Sequence, residues 1–178
     1  GRTQSLLFHL SRLKGTGRIP NIPVFLDSPM ATSASELFCH HLADQRLTAE
    51  ECREACAVAH YVRDVEESKN LDTNPMPKVI VSASGMATGG RVVHHLKRYA
   101  PDRRSTILFA GFQAGGTRGD AMTKGAETVK IHGQHIPVRA QIENLHMLSA
   151  HADADEIMAW LANFQQPPKT TFITHGEP

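Results

Sequence analysis

Two short runs near the C-terminus carry the residues best suited to chemistry: Ser149-Ala150-His151-Ala152-Asp153 and Thr174-His175-Gly176-Glu177. An imidazole can exchange a proton near neutral pH, and it can ligate a metal. Each His follows an expected strand, and the spacing predicts a helix between them. That order sets two imidazoles side by side at the carboxyl edge of one sheet, where open α/β folds place their sites. Two His alone cannot hold a catalytic zinc, which takes three protein ligands. No H-x-H-x-D-H run and no H-E-x-x-H helix occurs elsewhere. The chain therefore reads as part of an active site, separated from the rest of it.

Three loops follow expected strands, two of them rich in glycine. In the first, Gly85-x-x-x-x-Gly90 leads into Arg91 and Val92, where a P-loop needs Lys and Ser or Thr. The residues that reach the terminal phosphates and the Mg²⁺ are absent, which excludes nucleotide hydrolysis of that kind. Glycines ahead of a helix still expose N–H groups where anions are stabilised. From spacing alone, a phosphate cradle and a tight turn packing helix on strand are equal readings. Asp27-Ser28-Pro29 follows a strand too and could bring an acid to the same cleft. Ser28 as N-cap and Pro29 at the first helical position account for that run without chemistry. In Gly115-Gly116-Thr117-Arg118 the Arg could meet a phosphate, though a surface Arg needs no special reason.

The elements that position these loops alternate. Apolar residues at Leu6, Leu7, Leu10 and Leu13 predict a helix over 3–14. Strands are expected at 23–26, 61–62, 78–83 and 106–110, with helices at 29–41, 47–58, 64–69 and 91–99. Thr48 and Glu51 have capping-box spacing. Such alternation argues for an α/β domain with a mainly parallel sheet flanked by helices. After about Gly125 the texture changes. Residues 127–131 and 136–142 alternate apolar and polar, which predicts a β-hairpin; then come the first His motif, a helix over 153–164 and a strand over 170–174. A structural boundary is expected there, dividing 1–125 from 126–178.

Composition narrows the class further. A chain of 178 residues is long enough to bury a core, and its net charge of +1 says nothing for nucleic acid. A local basic group, Arg91, Lys97, Arg98, Arg103 and Arg104 with His94 and His95, reads mainly as a solvated helix face. No apolar run approaches the ~20 residues a membrane helix needs. No leader is expected at the N-terminus, and both ends read as cuts in a longer protein. Three Cys with no pairing pattern (Cys39, Cys52, Cys56) predict a reducing, cytoplasmic setting. Cys52 and Cys56, four apart, are expected to pack on a helix face rather than hold a metal.

Five motifs in order, Asp27-Ser28-Pro29-Met30-Ala31, Ser84-Gly85-Met86-x-x-Gly89-Gly90-Arg91, Gly111-Phe112-Gln113-Ala114-x-Gly116-Thr117, Ser149-Ala150-His151-Ala152-Asp153 and Thr174-His175-Gly176-Glu177, closely resemble the β-CASP branch of the metallo-β-lactamase superfamily. These are nucleic-acid-processing hydrolases, among them the nuclease subunit of the pre-mRNA 3′-end cleavage factor and its bacterial and archaeal relatives. The resemblance implies that 1–125 is the β-CASP cap. It implies that 126–178 is the RNA-metabolising segment, a hairpin, helix and strand returning to an incomplete metallo-β-lactamase domain. It implies a catalytic role for His151 at the scissile phosphate, and zinc ligation by His175 at a position where RNA-cleaving members carry His. It implies RNA phosphate contacts from Ser84, Gly85, Met86, Gly89, Gly90, Arg91 and Ser149. The implied full-length protein is a zinc-dependent ribonuclease with two Zn²⁺ ions, whose other ligands lie upstream in the family and are absent here. This chain by itself is then expected to be inactive and to hold neither ion fully. The implied partners are single-stranded RNA and the missing metallo-β-lactamase domain, with no membrane. The uncovered apolar faces of the last segment also predict self-association, as in a homodimer. Two alternatives stand: a catalytically silent β-CASP scaffold that binds RNA or a protein, and an unrelated phosphate-binding α/β domain.

Overall fold

The computed structural model describes residues 1–44, 46–148 and 151–172. A three-stranded parallel sheet organises the first half. β1 (Val24–Leu26) is its central strand, between β2 (Ala59–Tyr61) and β3 (Val79–Val81), in the register Phe25 opposite His60 and Ile80. The crossovers are helical: α1 (Arg2–Gly15) precedes β1, α2 (Pro29–His40) and α3 (Ala49–Ala57) join β1 to β2, and α4 (Val65–Thr73) joins β2 to β3. Leu7, Val24, Leu26, Ala31 and Ala59 form the core beneath them.

Local signals set these helices. Ser28 Oγ accepts from the Ala31 amide at 3.3 Å with Pro29 at the first helical position, and the Thr48–Glu51 capping box is complete. Element ends fall within a few residues of expectation, except that α4 continues past Lys69 to Thr73.

The second half has a separate core. α5 (Arg91–Tyr99) follows the first glycine loop. It leads to β4 (Thr106–Phe109), then to α6 (Arg118–Thr123), the hairpin of β5 (Thr128–Ile131) and β6 (Gln134–Pro137), and β7 (Gln141–Asn144). β4 and β7 pair in parallel, β5 and β6 antiparallel. The hairpin turn places His132 and Gly133 at φ +47° and +78°, the left-handed pair that a two-residue hairpin turn needs. Val129, Ile131 and Ile136 of the hairpin share one buried cluster with Val93, Leu96, Phe109 and Met122, so packing runs across Gly125.

Two elements differ from the sequence reading. The run 111–119 reads as a loop, yet Thr117 Oγ1 accepts from the Asp120 amide and starts α6. Residues 136–142 read as one strand, yet they divide between two sheets. Arg139 and Ala140 both donate their amides to the Ala100 carbonyl, at 2.7 and 2.9 Å, and this turns the chain from β6 towards β4.

Beyond β7 the segment is thin. α7 (Ala154–Leu161) begins at a complete Asp153–Glu156 capping box but has no buried residue. Residues 170–172 are not in a strand; the remainder of that expected strand lies outside the described residues.

Candidate nucleic-acid interface

Asp27 sits at the carboxyl end of β1 and is 0% exposed. It does not serve as a cap. Its Oδ1 accepts from Arg91 Nη1 at 2.5 Å, and its Oδ2 from Ser68 Oγ at 2.5 Å and His95 Nε2 at 2.7 Å. His95 Nδ1 lies 2.7 Å from Asp72 Oδ1. A carboxylate only accepts, so a ring between two carboxylates must donate from both nitrogens. That arrangement favours the charged form of His95, so two acids face two basic side chains in a closed set.

Protonation follows. Burial pushes the Asp27 carboxyl up, but the hydrogen bonds from Ser68, Arg91 and His95 outweigh it and hold the group below its usual range. Burial works against the charged His95 ring, but Asp72 and Asp27 outweigh that and raise it above the usual imidazole value. The basic group of α5 is thus partly spoken for. Arg91 and His95 turn inward, Arg98 Nε donates to the Asp72 carbonyl and Arg104 pairs with Asp102, while Lys97 and Arg98 keep the exposed face expected of them and His94, Arg103 and Arg104 are exposed too. His95, Asp72 and Ser68 were not singled out by sequence reasoning. The available signal was the i,i+4 spacing of Arg91 and His95, which puts both on one face of α5.

This ion set fixes the glycine loop. Arg91 also donates to the carbonyls of Val62 and Arg63, so the start of α5 is held over the carboxyl ends of β1 and β2. Gly90, at φ +76°, lets the loop close: a Cβ there would lie 3.1 Å from the Ala83 carbonyl oxygen. Ser84 Oγ and Thr88 Oγ1 are 3.1 Å apart across the loop. Gln113 Nε2 shares its protons among the carbonyls of Gly85, Gly111 and Phe112, at 3.0, 3.0 and 3.1 Å, and joins the first glycine loop to the second. The Gly119 amide donates to the Met86 carbonyl.

Beside this loop lies an open depression of about 370 Å³, lined by Thr88, Gly89, Gly90, Arg91, Val93, His94, Arg118 and His132. Arg118 Nε donates to the Lys130 carbonyl and Nη1 to those of Ala87 and Thr88. These acceptors are neutral, so its charge is retained at the depression. The His94 and His132 rings stand 4.8 Å apart on the same wall. Cations and imidazoles around a glycine backbone suit a phosphate oxygen.

Among the described residues, the other expected site residues are not gathered here. Ser84, Gly85 and Met86 lie in the glycine loop outside the lining of that depression. His151 is exposed and stands seven residues beyond the end of β7, not at a strand end. Ser149 and His175 lie outside the described residues. A two-zinc centre is therefore not assembled by the described residues. The one group of three metal-ligating side chains among them is Cys39, Cys52 and Cys56, between α2 and α3. Cys39 and Cys56 are joined as a disulfide, which the sequence reading did not anticipate. Among the described residues no helix is long and apolar enough to cross a membrane.

Residues 3–122 match the Beta-Casp domain family, and residues 135–178 match the Zn-dependent metallo-hydrolase RNA specificity domain. The chain belongs to the β-CASP family. Among curated proteins it is 34% identical to ribonuclease TTHA0252 of Thermus thermophilus, over 90% of this chain and 38% of that protein. It is 28% identical to the transcription termination factor FttA of Methanosarcina mazei, over 99% of this chain and 30% of the relative. FttA of Pyrococcus abyssi is also 28% identical, over 100% of this chain and 29% of its own length. The β-CASP chain described here thus spans about a third of the length of these relatives.

Proposed function

We propose that this chain is the RNA-gripping part of a cytoplasmic, zinc-dependent ribonuclease that hydrolyses RNA phosphodiester bonds, and that it is inactive by itself. The observation that carries the reading is the positively charged depression beside the Gly85–Gly90 loop. It occurs in a chain whose C-terminal part matches an RNA specificity domain. Single-stranded RNA would run its backbone past Ser84, Gly85, Met86, Gly89, Gly90 and Arg91, with Arg118 adding charge and Ser149 a further phosphate contact. Little base reading is needed for this mode. Arg91 is held by Asp27, so it contributes a fixed direction more than a mobile charge. His151 would protonate the leaving oxygen, a general-acid contribution of about 10²–10⁴-fold. The two zinc ions would be held outside this chain except for one ligand, His175. The metallo-hydrolase domain that completes the centre would also cover the apolar residues exposed on and around α7.

Single-stranded RNA and Zn²⁺ added to this chain should give salt-dependent binding without cleavage. Arg118→Ala should weaken binding alike for all sequences and lower the salt slope by about one. Turnover by the 178-residue chain that His175→Ala abolishes would overturn the claim of inactivity. In the complete protein, His151→Ala should leave RNA bound and uncut; unchanged cleavage would remove His151 from the mechanism.

A further inference from the structure

Three cysteines from two helices converge on the side of the fold where α2 meets α3. Cys39 lies in the last turn of α2, and Cys52 and Cys56 lie one turn apart on α3. All three sulfurs fall within 4.8 Å of one another. Cys52 Sγ stands 3.7 Å from Cys39 Sγ, and Cys56 Sγ is the atom joined to Cys39 in the disulfide. None of the three lines the depression beside Arg118. RNA cleavage as argued above makes no use of them.

The spacing has a chemical meaning. Zinc binds thiolate sulfur at about 2.3 Å, so two sulfurs on a tetrahedral ion lie about 3.8 Å apart. The Cys39–Cys52 separation already matches that edge. The i,i+4 spacing of Cys52 and Cys56 puts the third sulfur on the same helix face. We propose that, with Cys39 and Cys56 reduced, the Cys39–Cys52–Cys56 cluster is a three-thiolate site for a thiophilic cation such as Zn²⁺, distinct from any metal that cleaves RNA.

Cys52, 1% exposed, closes the inner side, while Cys39 and Cys56 are half-buried, so the fourth vertex faces outward to water. Soft sulfur donors select Zn²⁺ or Cu⁺ over Mg²⁺ or Ca²⁺. Reduction adds two electrons and two protons to the Cys39–Cys56 bond and requires an external thiol or phosphine. Binding then releases the three thiol protons. Burial pushes the Cys52 thiol up and favours its neutral form, but a coordinated cation deprotonates a thiol outright. The bound ion would tie the end of α2 to α3, the same two elements that the disulfide ties. Oxidation and metal uptake therefore compete for the same sulfurs.

The test titrates the phosphine-reduced chain with Cd²⁺ and follows thiolate-to-cadmium charge-transfer absorption in the ultraviolet, which histidine and carboxylate ligands do not produce. One equivalent should saturate the band, and Zn²⁺ should displace it. Cys39→Ser and Cys56→Ser, at the half-buried positions, and Cys52→Ser should each weaken Cd²⁺ binding by at least about tenfold, with circular dichroism checking that each is folded. His175→Ala should leave the band intact. No band in the folded, reduced chain overturns the proposal. So does a band that survives a folded single-cysteine variant unchanged, or reversible closing of the disulfide with no cation taken up by the reduced form.

Discussion

Two helical regions of this molecule meet different fates. Around α5, Arg91 and His95 drop into a buried set with Asp27, Ser68 and Asp72, and every charge has a partner within hydrogen-bond distance. Around α7, a complete capping box starts a helix that buries nothing, and Met147, Trp160 and Phe172 are 92%, 65% and 84% exposed. α7 starts at a side-chain capping box, whereas α5 starts at Gly90 without a side-chain cap. What differs is whether another surface among the described residues covers the face. The first region carries its own tertiary partners, whereas the second presents an apolar surface that calls for one.

The sharpest way to break the contrast is to empty its buried side. Asp27→Ala leaves Arg91 and His95 in the interior without their shared counter-charge. Uncompensated buried charge should cost about 3–5 kcal/mol, read by urea denaturation. Hydrogen exchange in α7 should not respond. If α7 amides lose protection in parallel, the two regions are one cooperative unit.

Gly119→Ala acts on the joint between the glycine loops. Its Cβ would fall 1.7 Å from Gln113 Oε1, so the Gln113 amide must leave and give up its three carbonyl partners. Stability should drop by about 1–3 kcal/mol, and RNA affinity should fall with the loop's alignment. A stable variant with weakened RNA binding would show that Gln113 positions the loop without supporting the fold.

A milder perturbation removes only the proton of His95. The folded-state value is raised, so the ring's contribution is complete below the ordinary imidazole value of about 6.5 and is lost as pH rises through the raised one. Asp27 behaves in the opposite sense: its contribution is complete above about 3.9 and is lost as pH falls through the lowered value. The melting temperature should therefore decline on both sides of a plateau. His95→Gln should erase the alkaline decline and shrink the acid one, because His95 helps hold Asp27 low; an unchanged alkaline limb would mean that another group titrates there.

The smallest effect belongs to the exposed region. Asp153→Ala removes the carboxylate that accepts from the Glu156 amide at the start of α7, while the residue-153 amide can still donate to Glu156 Oε2. The cost should be about 1 kcal/mol, confined to α7 amides and invisible in the global unfolding midpoint. A shift of that midpoint would argue that α7 is packed more firmly than its exposure indicates.

Much of the fold could be read directly. Ser28 with Pro29, Thr48 with Glu51, and Asp153 with Glu156 are contiguous codes, and the hairpin turn announces itself at Gly133. The candidate site was legible as a set of loops but not as contacts. Asp27 reads as a neighbour of a cap, and His95 as part of a basic face, because nothing within a few residues of either reveals the other. The Cys39–Cys56 pairing was not legible for the same reason. Cys39 lies thirteen residues before Cys52, and only the antiparallel return of α3 beside α2 brings them together.

The order of most strands and helices, the side-chain caps of α2, α3 and α7 and the hairpin turn were determined by the amino-acid sequence alone, since each depends on interactions spanning four or five residues. Tertiary structure decided which charges became buried partners, which strand left the hairpin for β4, and which apolar face stayed open. Those outcomes depend on desolvation, and a group loses its water only when distant parts of the chain close over it.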